Sequence, residues 1–345
     1  MEDVAELRRS HTEPFLSAVV PAYEGAGRLL RSRGTLTFLE GLAHIARLNS
    51  LWIAGGLTFV LIVGALCLAT PLCGDTAQFL LSARMMQDGA VLYADFWDIK
   101  QPGIYWFYLL AAKTVGFDQL SIRAFELAVM VVFSGLLIAG LWRHYGHRWL
   151  AAVVPVASVG SYYSAATDWQ LTQPEFIVTL PIFGSAWLLG RTYRSSSAAR
   201  AGWLLSGVLA GVAVIFKLVF AAFFVTFLLI ASRCRWQQQR PTSMRRSFFM
   251  LLAPFSAGAA IVLVAVAYHF ASHGALEELL WNTFVFPVLT MQQGQLAPLS
   301  RLVSMASWFT RAMAPWLIFA ALGLSLTVRR AEPVLTKLMG GWLQI

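Results

Sequence analysis

Two charged residues stand just beyond the first long apolar run of this chain. Asp75 lies in Gly74-Asp75-Thr76-Ala77-Gln78-Phe79, and Lys100 lies in Tyr93-Ala94-Asp95-Phe96-Trp97-Asp98-Ile99-Lys100-Gln101-Pro102-Gly103-Ile104-Tyr105. Charge close to lipid is expensive, so such residues are functional candidates by default. A carboxylate at Asp75 can take a proton from a substrate held at the outer membrane surface. It can equally cap a helix whose first amides lack partners. Lys100 offers a compact point charge for a phosphate, on a backbone constrained by Pro102 and Gly103. Its alternative is a lysine that snorkels to anchor a surface helix. That anchoring role weighs more heavily for Arg84 and Lys113, although Arg84 is also a candidate phosphate ligand. Asp95 and Asp98 either orient Lys100 or solvate its loop, and Pro102 and Tyr105 complete the supporting frame.

A second set lies further along. Glu175, in Leu171-Thr172-Gln173-Pro174-Glu175-Phe176, and Asp168 before it are acids that can converge with Asp75 over one pocket. Two carboxylates can divide proton removal from substrate orientation. Either is also favoured in the first turn of a helix by its dipole. Lys217 is enclosed by apolar sequence, and is either a second cation for a leaving phosphate or an interfacial anchor. His269, His273 and Glu277 are spaced four apart, which would align three metal ligands on one helix face, but Gly274 interrupts the run. No metal site is assigned on this pattern; a divalent ion is the one cofactor left open.

The elements that must position these residues are helices. The chain has 345 residues, 58% hydrophobic and only 12% charged, too little polar surface to wrap a soluble core. An all-α, polytopic membrane protein is expected. Its net charge of +9 is spread over short basic clusters between apolar runs, which argues against nucleic acid as a partner. The three cysteines have no spacing that suggests a disulfide framework or zinc site. Eight runs read as spans: Leu51 to Thr70, Ala124 to Trp142, Trp149 to Ala166, Phe176 to Gly190, Ala201 to Phe216, Leu218 to Ser232, Phe248 to Phe270 and Ala312 to Val328. Lys217 falls between the fifth and sixth, where a hairpin turn costs least. With the N-terminus inside, 19 of the 26 Lys and Arg residues fall on the cytoplasmic side. That bias predicts cytoplasmic termini.

Residues 1–50 read as a basic cytoplasmic tail, partly disordered, and residues 51–330 as the membrane domain. The outer loop 71–123 carries two amphipathic stretches, Thr76 to Gln87 and Ile104 to Val115, expected to lie along the outer leaflet. A second outer loop, 271–311, reads as a short helix followed by a polar linker around Gln292 to Gln295.

The outer acid Asp75, the Asp-Phe-x-Asp-x-Lys-x-Pro stretch ending at Pro102, an acid beside Pro174, the isolated Lys217 and the run Trp281-Asn282-Thr283-Phe284-Val285-Phe286-Pro287 together resemble polyprenyl-phosphate-dependent glycosyltransferases of the C-type fold (GT-C). These include the protein O-mannosyltransferases and the lipid A aminoarabinose transferases. The resemblance covers roughly residues 50–330, and its most specific part is Asp75 to Tyr105. It implies Asp75 as catalytic base, Lys100 as ligand of the donor phosphate, and Glu175 or Asp168 as second acid. Pro174 precedes Glu175 here, whereas many relatives have the reverse order, and Thr76 stands where many have a second acid. The implied reaction is inverting transfer of a sugar from a polyprenyl phosphate to a lipid, glycan or protein hydroxyl at a bacterial inner membrane. A non-catalytic transporter of lipid-linked sugars, or an assembly subunit, is the alternative. Residues 331–345 look like the truncated start of a further apolar segment, as in a shortened family member or an incomplete reading frame.

Overall fold

A computed structural model describes residues 35–292, apart from 146–147, 192–194 and 240–243, together with 303–304 and 306–307. The described residues are mostly helical and contain no strand, only an isolated bridge between Leu92 and Phe96. The helices are α1 (Thr35–Leu66), α2 (Asp75–Gln87), α3 (Pro102–Thr114), α4 (Gln119–Tyr145), α5 (Arg148–Pro155), α6 (Ser161–Ala165), α7 (Pro174–Ile177), α8 (Thr179–Gly190), α9 (Ser196–Phe216), α10 (Ala221–Gln239), α11 (Met244–Ser272), α12 (Leu276–Leu280) and α13 (Phe286–Gln292).

Among the described residues, five helical stretches are long and apolar enough to cross a membrane: Ser50–Ala69, Gln119–Gly140, Ser196–Phe216, Leu218–Arg235 and Phe248–Ser272. They coincide with five of the expected spans, and the chain is an all-α integral membrane protein. Two other expected spans are helical but interrupted. Between α5 and α6 the rod loosens into a π-helical turn at Val156–Gly160, directly after Pro155, whose missing N–H cannot continue the ladder. Pro174–Gly190 is shorter and divides at Val178 into α7 and α8. Ala312 to Val328, residues 331–345 and most of the Gln292 to Gln295 linker lie outside the described residues.

Two expectations change. Helix α1 begins at Thr35, inside the segment read as a tail. Thr35 to Ala46 holds three leucines and two alanines and no proline, so propensity carries the helix upstream of the apolar run. Helix α3 is more than a surface helix. Pro102, Gly103, Ile104, Tyr105, Phe107, Tyr108, Ala111 and Ala112 are all buried, and α3 packs against α2, α4 and α9. Its sequence is too apolar to leave half of its circumference wet.

Helices α9 and α11 meet backbone to backbone through small residues. A Cβ added at Gly207 would lie 1.9 Å from the Phe255 carbonyl oxygen, and one at Gly258 would lie 2.0 Å from that of Leu204. Without a hydrophobic force between helices in lipid, such close approach supplies the packing. Gly207→Ala is expected to force the helices apart at a cost of about 1–3 kcal/mol. The check is its thermal unfolding midpoint in detergent beside that of Gly55→Ala, where nothing lies within 4 Å of the added atom. The first should fall and the second should not.

Candidate active site

Helix α2 starts at Asp75, with Gly74 as its N-cap. No cap is made by the Asp75 side chain; Thr76 instead closes the preceding turn, its Oγ1 accepting from the Cys73 N–H at 3.1 Å and donating to the Cys73 carbonyl at 2.9 Å. The Asp75 carboxylate is therefore free to turn outward, where its Oδ2 lies 3.1 Å from Lys100 Nζ. Proposed base and proposed phosphate ligand are thus one ion pair.

Lys100 reaches that position because its loop is braced from within. Tyr93 adopts a left-handed backbone, φ 72°, which is uncommon outside glycine. Its hydroxyl donates to the Lys100 carbonyl at 2.6 Å, and its ring stacks on Phe270. Asp95 accepts from the Val91 N–H at 2.6 Å, and buried Asp98 accepts from the Ile99 N–H at 2.5 Å. Neither pairs with Lys100 among the described residues, so the expected orienting role falls instead to the backbone contact from Tyr93. Asp98 also lies beside the buried Tyr105 hydroxyl, outside hydrogen-bond geometry. Burial first, and Asp98 second, push the Tyr105 phenol far above its ordinary range, so it stays protonated. The ring itself packs edge-on against Phe79.

Pro102 occupies the first turn of α3, where its missing N–H is no loss. The next residue fixes what lies opposite. A Cβ at Gly103 would meet Phe216 at 2.7 Å and the Ile215 carbonyl oxygen at 2.8 Å, so the start of α3 rests on the end of α9. Lys217 follows immediately as a single extended residue between α9 and the next helix, as its position in an apolar stretch predicts. Its Nζ is paired with Glu175 Oε1 in the first turn of α7. Next to both lysines is an apolar cavity of about 220 Å³. It is lined by Gln101, Pro102 and Leu218, the chain neighbours of Lys100 and Lys217, together with residues of α9, α11, α12 and the turn after α12.

Asp168 lies beside Cys73, two residues before Asp75. Its Oδ1 accepts from the Trp169 N–H, and the Trp169 ring covers Gly74. Burial and the neighbouring Asp168 raise the Cys73 thiol above its ordinary value. Arg84 is not brought to the site. Nine residues along α2, about 13 Å from Asp75, it faces Asp88 at 3.9 Å and lies over the Phe117 ring. Its guanidinium sits at the opposite end of α2 from the Asp75–Lys100 pair. His269 and His273 line one cavity and Glu277 another, and no group of three His, Cys, Asp or Glu gathers to hold a metal among the described residues.

The residues that sequence reasoning missed form a buried network behind the site. Arg123 and Glu126 are 2% and 0% exposed. The Arg123 guanidinium donates to Thr172 Oγ1 at 2.5 Å and to the carbonyls of Thr70 at 3.4 Å and Pro71 at 3.2 Å. Glu126 accepts from the Thr172 N–H at 3.1 Å, the Thr172 hydroxyl at 2.6 Å and the Tyr162 hydroxyl at 2.5 Å. Thr172 is held with φ 58°, a costly conformation for a β-branched residue. The network ties the segment leading into Asp75 to the segment leading into Glu175. The available signal was Arg-x-x-Glu at one helical turn, with Glu126 inside a run otherwise free of charge.

No protein-family model, curated protein or solved structure matches the chain.

Proposed function

We propose that the chain is a membrane glycosyltransferase that moves a sugar from a polyprenyl-phosphate donor to an acceptor hydroxyl with inversion. The observation that carries this reading is the Asp75–Lys100 pair beside an apolar cavity. A half-exposed ion pair contributes only about 0.2–1 kcal/mol, so a donor phosphate can take Lys100 and leave Asp75 as a free base. The prenyl chain would enter the apolar cavity, with its phosphate between Lys100 and Lys217. Asp75 would then remove the acceptor proton as the acceptor oxygen attacks the anomeric carbon opposite the phosphate. The sugar–phosphate bond breaks, and the departing polyprenyl phosphate carries its charge onto the lysines. Glu175 holds Lys217 and Asp168 flanks Asp75, which gives them orienting roles. The reading includes eight spans in a bacterial inner membrane, active site outward and both termini in the cytoplasm.

The second reading, a non-catalytic lipid-linked-sugar transporter or assembly subunit, has one observation in its favour. Asp75 and Lys100 already neutralise each other, as in a purely structural bridge.

Lys100→Gln tests the donor assignment. Removing one charge-assisted hydrogen bond to phosphate costs about 1.5–3 kcal/mol, so the Kd for a short-chain polyprenyl-phosphate sugar should rise about 10- to 100-fold. Unchanged donor affinity by titration in nanodiscs would remove Lys100 from the donor site.

A further inference from the structure

A cavity of about 260 Å³ opens at the other end of α3, between that helix, the turn after α2 and the end of α11. Its charge-bearing lining is Lys113 from α3, His269 from α11 and His273 from the turn just after α11, set around the rings of Trp106 and Phe270. Lys113 lies eleven residues beyond Pro102 on the same helix, about 16 Å along its axis. The cavity is therefore separate from the Asp75–Lys100 pair.

The chemistry of this lining selects an anion. No carboxylate lines the cavity among the described residues. Asp88 faces Arg84, Asp95 is held by the Val91 N–H, and Glu277 and Glu278 line a different cavity with Trp97 and Trp281. Lys113 has no ion-pair partner among the described residues. The two imidazoles lie with ring centroids 4.6 Å apart, so charging both is unfavourable unless an anion stands by them. His273 Nδ1 lies 2.7 Å from the His269 carbonyl oxygen. A carbonyl only accepts, so Nδ1 carries the proton and Nε2 is left to take another. The Trp106 ring meets His269 edge-on and fixes its orientation.

We propose that Lys113, His269 and His273 form a binding site for a phosphate-class oxyanion, taken up together with a proton on the histidine pair. Three donors from two helices and the turn after α11 suit an oxyanion with three or more acceptor oxygens better than a two-oxygen carboxylate. A lipid phosphate headgroup and the free ion present the same chemistry. Each proton taken up by the pair adds positive charge facing the anion, so the site strengthens as the pH falls.

The test uses the full chain in nanodiscs of zwitterionic lipid, titrated calorimetrically with sulfate, whose charge is constant over the range, and with inorganic phosphate. Sulfate affinity should rise about tenfold from pH 7.5 to pH 5.5. Lys113→Gln, at an exposed position, should weaken binding about tenfold at both pH values, and His269→Gln with His273→Gln should abolish the pH dependence. The Lys113→Gln loss should be the same in a Lys100→Gln background, which removes the donor-phosphate lysine. Equal affinity in wild type and Lys113→Gln, or a Lys113→Gln effect that vanishes in the Lys100→Gln background, would overturn the proposal. So would zinc binding to the histidine pair that phosphate does not compete with. Nanodiscs doped with phosphatidic acid separate the two sources: weaker apparent sulfate binding there identifies a lipid headgroup as the occupant, and unchanged binding identifies the free ion.

Discussion

Asp75→Asn is expected to lower sugar transfer about 10²- to 10⁴-fold, the contribution typical of a positioned general base. The substitution keeps the shape of the side chain and removes its charge and its capacity to accept a proton. Because Thr76, not Asp75, closes the turn that starts α2, the helix should keep its start. Donor affinity should hold or improve, since Lys100 loses the carboxylate that competes with phosphate. A structural bridge would behave differently: losing it would alter stability by a fraction of a kcal/mol and leave transfer untouched. The measurements are transfer rate and donor Kd on the same preparation, with the unfolding midpoint as the check on folding.

Arg123→Ala is expected to destabilise the fold by about 3–5 kcal/mol, the cost of leaving a buried charge without its partner. Glu126 would remain at 0% exposure with only hydroxyl and amide donors around it, and the Thr70 and Pro71 carbonyls would lose theirs. The loss should be larger than for Asp75→Asn, because the partners here are out of water. Thermal unfolding in detergent, with limited proteolysis of the segment around Thr172, measures it. Thr172 should be the first place cut, since its left-handed backbone is held by the network that the substitution breaks.

The membrane character and the rough course of the helices were legible in the sequence because apolar length is a one-dimensional property. Ser50–Ala69 and Phe248–Ser272 match their expected spans within a few residues. Lys217 was legible for the same reason: a lone charge in a long apolar stretch has few places to sit other than a break. The pairing of Asp75 with Lys100, and of Glu175 with Lys217, was not. The first depends on α2 packing against α3, and the second joins residues 42 positions apart. The Arg123–Glu126 network was hidden for a related reason. Its partners come from three separate segments, and an acid inside an apolar helix gives no sign of which of them it will meet. Arg84 shows the converse: its position near Asp75 in sequence suggested a shared role, but helical rise carries it to the opposite end of α2.

The most direct measurement is the product formed by the wild-type chain from a panel of polyprenyl-phosphate sugars in vesicles, with its anomeric configuration read by NMR. The expected result is a glycoside of inverted configuration that the wild type makes and Asp75→Asn does not. Donor binding with no transfer from any member of the panel, or transfer that Asp75→Asn leaves unchanged, would contradict it.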